Sequence, residues 1–109
     1  MSDETNSTAH ILQEYREHLA EIFGAALDSV LLYGSQARGD AEEGSDVDVL
    51  CVMTEPFDYG DLIERTSEVT AEISLKYDIV LSRTFVAKSD YASLNTPFLM
   101  NVRRECIAL

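Results

Sequence analysis

The sequence predicts a small α/β (α+β) fold: one short, mixed sheet of three or four strands packed with helices, forming a single domain over residues 1–109. Two observations carry this reading. The chain has 109 residues, 46% hydrophobic and 26% charged, a globular composition with room for one modest core. Segments of helical period also alternate with short apolar runs, the order that builds a sheet flanked by helices.

The first element is a helix near residues 8–23. Ile11, Leu12, Tyr15, Leu19, Ile22 and Phe23 keep the 3.6-residue period, Ser7 or Thr8 can cap the start, and Gly24 follows the end. Ser29 to Tyr33 is a short apolar run stopped by Gly34, the pattern of a buried strand. Residues 34–45 are rich in Gly, Ala, Ser and charge, with room for a short helix over 35–39. A second strand runs from Asp46 to Met53, alternating at first and then wholly apolar. Asp61 opens a helix in which Leu62, Thr66, Val69 and Ile73 share one face. Tyr77-Asp78-Ile79-Val80-Leu81 predicts a third strand, and Pro97 to Glu105 a closing helix. The expected sandwich is covered by helices on one face of its sheet.

Charge and cysteine content exclude several classes. Twenty Asp and Glu oppose 8 Lys and Arg, for a formal charge of -12. Such a chain is repelled by bare nucleic acid, where phosphate neutralisation dominates binding, and attracts metal cations and basic partners. No run of 18 apolar residues offers a membrane span, and the acidic, polar start Met1-Ser2-Asp3-Glu4 is unlike a secretory signal. Cys51 and Cys106 stand far apart with no CxxC pair. The expectation is therefore a reduced, cytoplasmic protein without a disulfide framework or zinc site.

The chemistry is concentrated in Gly34-Ser35-Gln36-Ala37-Arg38-Gly39 and Ser45-Asp46-Val47-Asp48. Asp46 and Asp48, two apart on an expected strand, project from the same face. Two such carboxylates stay ionised together when a cation or water lies between them. Mg²⁺ favours a few carboxylates plus substrate phosphates. Gly34 and Ser35 stand where a strand turns into a short helix, a place whose free N–H groups favour an anion. The Ser35 hydroxyl can donate to a phosphate, and Arg38 can add positive charge. A phosphate cradle beside an acidic metal-binding pair points to phosphoryl or nucleotidyl transfer. Asp78, placed at the start of the third strand, could join the pair as a metal ligand and take a proton from an acceptor hydroxyl.

Gly34-Ser35, ten residues, then Asp46-x-Asp48 resembles the signature of the DNA polymerase β superfamily of nucleotidyltransferases. The fuller string GSQARGDAEEGSDVDVLCV, with YDIVLS and the ending PFLMNVRRECIAL, is similar to the minimal nucleotidyltransferase (MNT) domains, the antitoxin halves of HEPN/MNT toxin–antitoxin pairs. That resemblance covers nearly the whole chain and implies the small nucleotidyltransferase fold. It further implies an enzyme that uses ATP and Mg²⁺, two ions, to attach AMP to a cognate HEPN RNase toxin, typically on tyrosine, within a hetero-oligomer. Gly34 and Ser35 would then hold the triphosphate, Asp46 and Asp48 the metals, and Asp78 would be the third carboxylate. Cys106 departs from the glycine expected at that place in the family, which touches the C-terminal turn and not the chemistry. A polymerase would need further domains and a basic surface, and an aminoglycoside-modifying relative a second domain to shape its pocket.

Plainer readings stand beside these. Gly34-Ser35 is also an ordinary turn, and Asp46 and Asp48 a solvated strand start. Asp78 is the hydrated carboxylate many strands begin with, Arg38 can pair with Asp40 or Glu42, and Ser45 can cap the loop. His10 and His18 read as solvated, Cys51 as core filling, the tyrosines and Met100 as packing, and Arg103 and Arg104 as helix-end cations. Two alternatives to protein modification remain open: a binding module that neutralises a basic toxin without turnover, and nucleotidyl transfer to a small-molecule hydroxyl.

Overall fold

The computed structural model describes residues 8–33 and 46–109. Helix α1 spans Thr8–Phe23 and passes through a 3₁₀ turn, Gly24–Ala26, into strand β1, Leu27–Tyr33. Gly24 makes the corner with a φ of 56°, a conformation glycine adopts without a steric penalty. Strand β2 is Val47–Met53, helix α2 Tyr59–Tyr77 and strand β3 Leu81–Ala87. Helices α3, Lys88–Ser93, and α4, Pro97–Glu105, lead to the short strand β4, Ile107–Ala108.

The strand order is β3-β2-β1-β4. β1 pairs antiparallel with β2 and with β4, whereas β2 and β3 run parallel, with α2 as the crossover between them. The sheet is therefore mixed and four-stranded, within the expected range.

One face packs under α1 and α2. Leu12, Tyr15 and Leu19 of α1 and Leu62, Val69 and Ile73 of α2 meet Val30, Leu32, Val47, Val49, Cys51, Leu81 and Phe85 of the strands. The periodic residues named from sequence on both helices are buried, Thr66 among them, except Ile22, which is partly buried at the core's edge. Tyr15 and Thr70 share a buried hydrogen bond of 2.7 Å. Asp58 caps α2 by accepting from the Gly60 N–H at 3.1 Å. Arg83 of β3 ties the sheet to α2, donating to Thr66 Oγ1 and to the Ile63 carbonyl, each at 2.8 Å.

The expectation of a sheet covered on one face is corrected. Leu31, Leu50 and Val52 point to the opposite face and pack against Leu99 and Val102 of α4, with Tyr91 of α3 and Cys106 at the margin. The physical reason lies in the strands: their unbroken apolar runs are buried on both sides, and the second side must be covered too. Thr96 caps α4 by accepting from the Leu99 N–H at 3.2 Å, and Pro97 begins the helix.

The third strand is also corrected. Residues 77–80 are not strand: α2 continues to Tyr77, and Asp78 is its C-cap, with a φ of 55°. The helix gains this turn because Tyr77 donates to Glu14 of α1 and Lys76 pairs with the same carboxylate at 3.0 Å. Aspartate is among the few residues that tolerate the left-handed cap. Helix α3 and strand β4 had no expected counterpart, β1 starts two residues earlier than expected, and the possible helix over 35–39 lies outside the described residues.

Candidate active site

β2 carries Asp48 at its second position, and Asp46 lies just before the strand. The β1/β2 register sets Tyr33 opposite Asp48, and the β2/β3 register sets Ser82 on its other side. These residues belong to the sheet face of Leu50 and Val52, which α4 covers beyond them. Asp46 is exposed and Asp48 half-buried. Burial pushes the Asp48 carboxyl above the usual carboxylate range, and the neighbouring negative charge of Asp46 pushes it the same way. That is the electrostatic state expected of a carboxylate pair suited to a cation.

An aromatic wall borders the pair. Burial raises the Tyr33 phenol, the Asp48 charge adds to the rise, and a hydrogen bond with the Thr84 side chain opposes it. The Tyr33 ring meets Phe98, at the start of α4, edge to face with centroids 5.3 Å apart. Sequence reading missed Tyr33 and Ser82 beside Asp48, and Thr84 and Phe98 as the partners of Tyr33. Only the strand register and the docking of α4 bring them there.

Asp78 stands at the same end of the sheet: the Val47 N–H donates to the Val80 carbonyl at 2.8 Å, two residues beyond it. Its own N–H, like that of Ile79, donates to the Ser74 carbonyl. Among the described residues no three His, Cys, Asp or Glu side chains gather as a metal-holding group. Asp46 and Asp48 are thus brought together, whereas Asp78 is held on the α2 cap and not on a strand. Gly34, Ser35, Arg38 and Ser45 lie outside the described residues. In the chain, Gly34 directly follows Tyr33, and Ser45 directly precedes Asp46.

No described cation pairs with either carboxylate. Arg65 pairs with Asp61, Lys76 with Glu14 and Lys88 with Asp28. Arg83 is engaged by α2, Arg103 donates to the Tyr91 and Leu94 carbonyls, and Arg104 donates to Asn101. Arg16 keeps a buried Nε without a partner on α1. His10, exposed, meets Tyr77 edge to face, and His18 faces Glu21 at 3.9 Å with much of its ring in solvent, in keeping with the solvated reading. Cys51 is buried in the core and Cys106 partly so, and both are free thiols.

A four-stranded mixed sheet with two adjacent carboxylates opening its second strand defines a class, and comparison with known proteins identifies it. The chain belongs to the nucleotidyltransferase domain family, whose pattern matches residues 12–103. It is 37% identical over 79 residues to a Methanocaldococcus jannaschii protein named "putative protein adenylyltransferase", covering 72% of this chain and 79% of that one. Among solved structures, a toxin–antitoxin with AMP-PNP superposes with a TM-score of 0.61 at 16% identity, covering 88% of this chain and 70% of that one. A tri-AMPylated Shewanella oneidensis HEPN toxin in complex with MNT antitoxin matches with a TM-score of 0.51 at 13% identity, over 88% and 69%. The two structures share the fold.

Proposed function

We propose that this nucleotidyltransferase transfers AMP from ATP to a hydroxyl, on tyrosine, of a cognate HEPN-type RNase toxin in the cytoplasm and so acts as its antitoxin. The observation that carries the reading is the Asp46/Asp48 pair at the start of β2, where burial and the Asp46 charge raise the Asp48 carboxyl. Support comes from the name of the 37%-identical relative and from the AMP-PNP and the AMPylated toxin in the structural neighbours.

The oxygen-only donor set of Asp46 and Asp48 fits Mg²⁺, and Asp78, at the same end of the sheet though not gathered with the pair, is proposed as the third carboxylate. Asp46 and Asp48 would hold two Mg²⁺ ions, which would supply positive charge that favours ionisation of the acceptor hydroxyl and departure of pyrophosphate. Gly34 and Ser35 would hold the triphosphate through backbone N–H groups and the hydroxyl, with Arg38 adding charge and Ser45 orienting the loop. The acceptor oxygen forms its bond to the α-phosphorus as the bond from that phosphorus to the bridging oxygen breaks. Pyrophosphate leaves, and the hydroxyl proton passes to Asp78.

The formal charge of -12 favours a second reading, neutralisation of a basic toxin by tight binding alone. Stoichiometry separates the two. With ATP and Mg²⁺, a catalyst silences the RNase activity of a tenfold excess of toxin, roughly the range a turnover test needs given ordinary kcat values. Silencing that stops at a fixed ratio, unchanged by ATP, would establish the binder and overturn the transferase.

A further inference from the structure

Phe98 leaves 42% of its surface exposed although it lies in the first turn of the helix that covers the Asp48 face. Its ring is braced: Tyr33 meets it at 5.3 Å with the planes at 87°. Tyr33 in turn sits opposite Asp48 and is linked to Thr84 of β3 across the intervening strand. Two strands and a capped helix therefore fix the orientation of an aromatic face against Tyr33, the residue opposite Asp48.

A nucleoside triphosphate approaching this site meets an electrostatic problem. The chain carries -12, the site itself is acidic, and Arg65, Lys76, Arg83, Lys88, Arg103 and Arg104 are engaged elsewhere. Beside the charge that Mg²⁺ and Arg38 would supply, affinity in so acidic a setting gains from a contribution that is not ionic. A nucleobase supplies one, because its π-face stacks on an exposed aromatic ring in a low-entropy contact.

We propose that Phe98, braced by Tyr33, is the nucleobase-stacking residue of this site and gives ATP its affinity over a bare polyphosphate. The proposal rests on the nucleotidyl-transfer reading above. Its test is calorimetric titration of the intact protein, in Mg²⁺, with ATP and separately with inorganic tripolyphosphate, which has no base. Phe98→Leu keeps an apolar contact on Tyr33 but removes the aromatic face. The variant should bind ATP about tenfold more weakly, the equivalent of one stacking contact, bind tripolyphosphate as the wild type does, and unfold at the same temperature. Phe98→Trp should restore ATP binding.

Equal weakening toward both ligands, or undiminished ATP binding by Phe98→Leu, would overturn the stacking role while leaving the transferase reading intact. So would unchanged ATP binding together with a raised KM for the protein acceptor, which would place the acceptor on Phe98 instead. A wild-type protein that binds neither ligand would overturn the transferase reading itself, and the stacking role with it.

Discussion

Tyr15 shows how a single polar atom is accommodated in this core. Its ring is fully buried under the sheet, and its hydroxyl finds Thr70 of α2 at 2.7 Å. Burial pushes the phenol up to about 12, with the Thr70 hydrogen bond pulling the other way. The fold thus holds the neutral form. Its contribution is complete below the ordinary phenol value of about 10 and is lost as pH rises through about 12. Tyr15→Phe strands the Thr70 hydroxyl and should lower unfolding stability in urea by about 1–3 kcal/mol at neutral pH. The wild-type advantage over the variant should shrink in strong alkali; a constant difference across that range would contradict the assignment. Tyr15 was legible as a core position from its helical period, but its partner, 55 residues away, was not. The same holds at the site. Asp46 and Asp48 announce themselves by spacing, whereas strand register alone sets Tyr33 opposite Asp48, and helix docking alone sets Phe98 on Tyr33.

At the scale of elements, the extra turn of α2 decides where Asp78 stands. The run Tyr77 to Leu81 carries a strand-like apolar pattern, and local propensity alone favours that reading. Tertiary contacts override it, since Glu14 of α1 engages both Tyr77 and Lys76 and keeps them helical. The Tyr77 hydrogen bond, followed by that of Lys76, holds the Glu14 carboxyl below the usual glutamate range. A depressed carboxylate contributes stability above its unfolded pKa and loses it as pH falls through the folded one. Glu14→Gln should therefore lower the thermal midpoint at neutral pH. The gap to wild type should close on acidification below the ordinary value of about 4.5; a gap that stays constant would show that Glu14 is not engaged as a carboxylate. The second covering layer was legible in hindsight from the unbroken apolar stretch of β2, which is buried on both faces. Helix α3, which exposes most of its residues, carries no such periodic signal.

For the whole molecule, the sheet separates two sides: one buried under α1 and α2, and a second on which α4 covers Leu31, Leu50 and Val52 beyond the carboxylate pair. Cys51 reports on the first. It is fully buried and its thiol is pushed up to about 12 by burial, whereas Cys106 is only partly covered. A disulfide-exchange reagent should therefore modify Cys106 in the native protein and reach Cys51 only on unfolding. Rapid native modification of both would mean that the core opens far more readily than this packing implies. The excess of acidic side chains acts at the same scale, steering a basic partner toward the domain in a salt-dependent way. No described helix is long and apolar enough to cross a membrane.

The central claim is group transfer from the Asp46/Asp48 end of the sheet to a protein acceptor. Its most direct test is intact-mass spectrometry of the cognate HEPN toxin after incubation with this protein, ATP and Mg²⁺. The expected result is a mass gain in whole multiples of one AMP that disappears with the double substitution Asp46→Asn and Asp48→Asn while the fold is retained. An unmodified toxin held in a stable, inactive complex would contradict the claim, as would AMP addition that survives the double substitution.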